Sequence, residues 1–159
     1  MGSEAREIEL ASYKHDHEYS VRDRQKFIEY AKAHAADRSF ISRDDERNVL
    51  RTGVSRFDIN YDEARWLLLG ILAEKGVALE RELDIRIEGV LKRFADSNDK
   101  ISKSEFEDAV EIYRDWSNKE ISQAEVKKKL KAMIGKENWK AKRNGFLRTR
   151  AWFKKIVLD

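Results

Sequence analysis

A chain of 159 residues, 41% hydrophobic and 40% charged, is long enough to bury one core and too apolar to be wholly disordered. It has no cysteine, which excludes disulfides, thiolate metal sites and thiol nucleophiles, and no proline, which argues against a breaker-rich all-β fold. Net charge is only +3, yet residues 121–159 hold 12 Lys and Arg against three acids (Glu125, Glu137 and Asp159), so a basic C-terminal third follows a net acidic remainder.

Residues 1–19 carry no clear periodicity and read as a weakly structured N-terminal segment; the helical domain is expected over 20–159, with no linker composition to divide it. From there a short phrase recurs, an Ile followed by Ser or Asn and then an acid three positions after that polar residue. It stands at Ile41-Ser42 with Asp45, Ile59-Asn60 with Glu63, Ile101-Ser102 with Glu105 and Ile121-Ser122 with Glu125. The polar oxygen can accept a free N–H of a first helical turn, the acid can reach back, and its charge suits the positive helix end. The phrase therefore marks helix starts. Ile101 with Phe106, Ile121 with Val126 and Ile59 with Ala64 can add an apolar staple, whereas Ile41 faces the polar Glu46.

Taken in order, Ser20 is expected to open a first helix to about Ala36 with Phe27, Ile28, Ala31 and Ala35 inward. Ser42 opens a second, carrying Val49, Leu50 and Val54 and fraying near Gly53. Asn60 opens a third whose Trp66, Leu67, Leu68, Leu69, Ile71 and Leu72 are apolar nearly all round, the pattern of a buried central helix. Gly76 is placed to end it in a left-handed C-cap with Val77 as apolar partner. A fourth helix shows Leu79, Leu83, Ile87, Val90, Leu91 and Phe94 at helical spacing. Ser102 opens a fifth with Phe106, Val110 and Tyr113 in one stripe, and Ser122 a sixth ended by Gly135. A last helix after Gly145 aligns Phe146, Phe153, Ile156 and Val157, with Trp152 at its edge. The expected fold is all-α, a compact single-domain bundle of about seven helices.

Residues 94–106 place an acidic loop before Ile101 and Glu105, as in an EF-hand. With these two at calcium-loop positions 8 and 12, position 1 falls on Phe94 and the turn glycine becomes Asp99, so a degenerate loop without tight calcium binding is expected. His15-Asp16-His17-Glu18 has metal-ligand residue types but no zinc spacing. Nucleophile elbows, H-E-x-x-H and phosphate-binding glycine loops do not occur, and the carboxylate pairs Asp44-Asp45 and Asp62-Glu63 sit at helix starts.

The run Ala35-Ala36-Asp37-Arg38-Ser39-Phe40-Ile41-Ser42-Arg43-Asp44-Asp45-Glu46, with Phe57-Asp58-Ile59-Asn60-Tyr61-Asp62-Glu63-Ala64 after it, resembles the tellurite-resistance TerB-like helical family over roughly residues 20–115. The glycine usual after the acid is Arg38 here, and the turn before Ile41 looks one residue longer. The resemblance implies a stress-related binding module rather than an enzyme, with Asp37, Asp45 and Glu63 at the positions matching a cation site.

The basic third interleaves bases with aromatics: Trp139, Lys140, Lys142, Arg143, Arg148, Arg150, Trp152 and Lys155. That pattern suits phosphate neutralisation with base stacking, or an anionic membrane surface, and it equally suits the solvated face of a docked terminal helix. The sequence-level expectation is a non-enzymatic cytoplasmic adaptor acting through protein contacts, without cofactor. The alternative is a nucleic-acid-binding protein using Trp139, Lys140, Lys142, Arg143, Arg148, Arg150 and Lys155. No helix-length apolar run and no secretory signal argue otherwise for the compartment.

Overall fold

The computed structural model describes residues 20–145 and 149–158, and within them the protein is all-α, as the capping phrases imply. Seven helices occur among the described residues: α1 (20–34), α2 (Arg43–Phe57), α3 (Tyr61–Lys75), α4 (Glu80–Phe94), α5 (Lys103–Trp116), α6 (Gln123–Lys136) and α7 (Ala151–Lys154). Four two-residue strands punctuate them: β1 (Phe40–Ile41), β2 (Ala78–Leu79), β3 (Lys100–Ile101) and β4 (Lys140–Ala141). The chain groups into two compact units, one ending at Val77 and the other beginning at Ala78.

All four phrases start helices. Ser102 Oγ accepts the Glu105 N–H at 3.2 Å while the Glu105 carboxylate accepts the Ser102 N–H at 2.7 Å, and Ser122 with Glu125 repeats this capping box. Ser42 accepts the Asp45 N–H and Asn60 accepts the Asp62 N–H, satisfying first-turn donors of α2 and α3. Ser20 is the first described residue and is itself helical.

In the first unit Phe27, Ala31 and Ala35 of the α1 segment are buried with Val49, Leu50 and Phe57 of α2 and Leu68, Ile71 and Leu72 of α3. The expected fraying at Gly53 does not occur. Gly53 is buried in an unbroken α2, because the Phe27 ring passes so close that a Cβ there would stand 2.9 Å from Phe27 Cε2 and 3.1 Å from Ala64 Cβ. Val54, next to it, turns outward and is exposed. Nor is α3 a buried central helix: Leu68, Ile71 and Leu72 form its inner face, while Trp66 is 73% exposed and Leu67 and Leu69 are half-buried. Gly76 ends α3 as expected, at φ 66°, with its N–H on Ala73 O and the Val77 N–H on Leu72 O.

The second unit packs α4, α5 and α6 around Leu83, Ile87, Leu91, Phe106, Val110, Tyr113, Val126, Leu130 and Ile134. Its core also holds an ionic group that the apolar pattern does not announce. Asp84, 7% exposed, accepts from Tyr113 Oη at 2.8 Å and pairs with Lys129 Nζ at 3.1 Å; Lys129 pairs with Glu80 as well and lies over the Tyr113 ring. One lysine of α6 thus ties α6 to both α4 and α5. Gly135 does not end α6; the stop is Asn138 at φ 58°, with the Asn138 and Trp139 N–H groups returning to Gly135 O and Ile134 O. The long terminal helix is also corrected. Asn144 and Thr149 pair in an antiparallel bridge, which reverses the chain and leaves only the four residues of α7; Val157 is 68% exposed, and Phe146 falls outside the described residues.

Candidate docking groove and cationic recess

β3 and β4 pair in parallel, Lys100 opposite Lys140 and Ile101 opposite Ala141, through the Lys140 N–H on Asp99 O and the Lys142 N–H on Ile101 O, both 2.8 Å. The pairing brings the acidic loop after α4 against the basic segment after α6. Asp96 Oδ1 accepts the N–H groups of Asn98 and Lys100, and Asp96 Oδ2 meets Lys142 Nζ at 3.2 Å. The Asn98 N–H foremost, with Lys100 and Lys142, holds the Asp96 carboxyl below its ordinary range. Glu105 is lowered chiefly by its hydrogen bonds with Ser102. Asp96 and Glu105, two of the acids that a calcium site would turn toward an ion, are thus satisfied by backbone donors, Ser102 and Lys142.

Asp96, Lys100, Lys142, Arg143 and Arg150 line one recess of about 470 Å³. Three of the sequence-derived site residues, Lys142, Arg143 and Arg150, meet there. Lys140 and Lys155 are exposed and Trp139 is half-buried, and none of these three lines the recess; Arg148 lies outside the described residues. Trp152 is half-buried: its Nε1–H donates to Lys142 O at 3.1 Å, and its ring packs against Phe106 and Phe153 at 5.4 Å from each. Its ring is therefore engaged inside the protein rather than presented as a stacking platform. Phe153 and Ile156, aligned on one face of the expected terminal helix, are half-buried.

In the first unit Asp45 accepts from Ser42 Oγ at 2.9 Å and pairs with Arg38 Nη1 at 3.1 Å, Glu63 pairs with Arg24, and Asp37 is exposed on a left-handed turn at φ 58°. Among the described residues no three His, Asp or Glu side chains come together as metal ligands; the 15–18 cluster lies outside them. His34, near Asp45, has its basicity lowered by burial first and by Arg38 second.

Sequence reasoning missed a groove between α1 and α3. Ile28, Lys32, Trp66, Leu67, Leu69, Gly70, Ile71 and Glu74 enclose about 540 Å³ of open space there. Gly70 lies one turn after Trp66, and a Cβ built on it meets nothing within 4 Å, so a notch opens beside the indole. Lys32 and Glu74 on the lining have no ion-pair partner among the described residues. A signal existed in the sequence: Trp66, Leu67, Leu69 and Leu68 point to different sides of a helix, more apolar surface than one packed face needs.

No family model matches the chain, and searches of curated proteins and of solved structures return no match either.

Proposed function

We propose that this protein is a non-enzymatic, cytoplasmic binding module that acts through protein contacts, and that the groove between α1 and α3 is its docking surface. The observation that carries this reading is Trp66, a tryptophan left 73% exposed above an apolar groove with an open notch at Gly70. Leaving an indole in water forgoes the burial of roughly 150 to 250 Å² of surface, and tryptophan is the side chain most concentrated at binding hot spots. The occupant is an amphipathic helix of a partner protein. It seats an apolar side chain in the notch against Trp66 and offers an acid to Lys32 and a base to Glu74.

Two further points support a binding role over a catalytic one. The titrating groups displaced from their ordinary range are each explained by local structure: Glu105 and Glu125 by capping, Asp96 by its turn, His34 by burial. The resemblance of residues 35–46 and 57–64 to TerB-like domains implies the same class.

Selection of a random library of helical peptides on the purified protein, with Trp66→Ala as the counter-target, tests the reading. Peptides with apolar residues at helical spacing that bind the wild type and lose at least tenfold on Trp66→Ala are expected, tenfold being 1.4 kcal/mol. Binders indifferent to Trp66, or none, would remove the groove as a docking surface.

A further inference from the structure

The recess in the second unit gathers more positive charge than the described residues around it balance. Lys100, Lys142, Arg143 and Arg150 line it with a single acid, Asp96. That acid is already committed, one oxygen to two backbone N–H groups and the other to Lys142. Lys100, Arg143 and Arg150 have no ion-pair partner among the described residues. The bases come from separate segments held by the β3–β4 pairing and the Trp152–Lys142 hydrogen bond, so the cluster is a product of the fold rather than of one lysine run.

We infer that this recess is a binding site for a small anion bearing two or more phosphate groups on a short, non-aromatic frame. Three unpaired bases beside a fourth repel one another until a multivalent anion enters. Two guanidinium groups can fork onto phosphate oxygens, and the two lysines add point charges. The volume suits a ligand of small-molecule size. The frame is non-aromatic because no described residue lining the recess is aromatic, and the neighbouring Trp152 packs against Phe106 and Phe153 with its only donor engaged. Single-stranded nucleic acid, which relies on stacking as well as charge, is the poorer fit.

Calorimetry with inorganic tripolyphosphate in 0.15 M salt tests the inference, with circular dichroism confirming that each variant is folded. Saturable binding is expected. Arg143→Gln and Arg150→Gln each weaken it about tenfold, and Lys155→Gln, outside the recess, changes it less than twofold. Asp96→Asn tightens it about threefold, since it removes the opposing charge and keeps an oxygen for the turn. A soluble inositol trisphosphate and phosphatidylcholine vesicles carrying a phosphatidylinositol bisphosphate separate a free ligand from a lipid headgroup. No saturable binding, or an equal loss in Lys155→Gln, overturns the site. A single-stranded oligonucleotide that binds more tightly than tripolyphosphate and weakens in the same arginine variants overturns the ligand class and assigns the recess to nucleic acid.

Discussion

Residues 20–77 and residues 78–158 each start two helices on a capping phrase and then differ in the side chains they gather at their surfaces and between their helices. The first unit sets three helices around a core whose one buried acid, Glu46, lies in the first turn of α2, and leaves its largest apolar side chain, Trp66, outside that core. The second joins a buried acid and a buried tyrosine to a half-buried lysine between its helices, and gathers three bases without an ion-pair partner among the described residues in a surface recess. Capping phrases mark where four of the helices begin; which faces then become core is decided by partners distant in the chain. A local pattern therefore predicts elements well and exposure poorly.

The ionic core of the second unit gives the largest effect by which this contrast can be broken. Lys129→Met removes the lysine that pairs with both Asp84 and Glu80 in a part-buried cluster and should cost about 3 kcal/mol in urea unfolding. A loss below about 1 kcal/mol, the size of a surface pair, would make the cluster peripheral. Tyr113→Phe should cost less, about 1 to 2 kcal/mol, for one buried hydrogen bond to a charged group.

Two glycines sharpen the comparison inside the first unit, with opposite signs. Gly53→Ala drives a methyl into Phe27 and should destabilise by about 1 to 3 kcal/mol. Gly70→Ala meets open space within a helix and should stabilise by about 0.5 to 1 kcal/mol in thermal or denaturant unfolding, while narrowing the notch beside Trp66. Equal effects at the two positions would mean that the α1–α2 contact is looser than described.

The shared caps should behave alike in both units. Ser102→Ala is expected to cost about 0.5 to 2 kcal/mol, and Ser42→Ala a similar amount. Because Glu105 and Glu125 are held below their ordinary value of 4.5 chiefly by their capping serines, their contribution is complete above that pH and is lost as pH falls through the lowered folded values. Unfolding followed from pH 7 to 3 should show part of this acid loss disappear in Ser102→Ala, where the Glu105 side chain no longer has its serine hydroxyl. An unchanged acid limb would remove that hydrogen bond as the cause.

The helix starts at Ser42, Asn60, Ser102 and Ser122 were legible because a cap joins residues two or three apart, and Gly76 because its turn closes within six residues. The stop of α6 was misplaced by the same local logic, since Asn138 rather than Gly135 takes the left-handed turn. What could not be read depends on distant partners. Gly53 is a contact point only because Phe27 arrives there, Asp84 and Lys129 meet across 45 positions, and the terminal helix is cut short by the Asn144–Thr149 bridge. Of the sequence-derived site, Lys142, Arg143 and Arg150 converge and Trp139, Lys140 and Lys155 do not, because strand pairing rather than charge density gathers the recess. The groove escaped because an all-round apolar helix reads as buried whether or not a third neighbour exists.

The smallest expected change bears most directly on the central claim, that Trp66 is held out of the core for a partner. Denaturant unfolding of Trp66→Ala should be compared with that of Leu68→Ala, two positions along the same helix and 2% exposed. Leu68→Ala should lose about 2 to 5 kcal/mol, and Trp66→Ala should stay within about 0.5 kcal/mol of the wild type. A loss above about 2 kcal/mol at Trp66 would make the indole a structural side chain and contradict the docking groove.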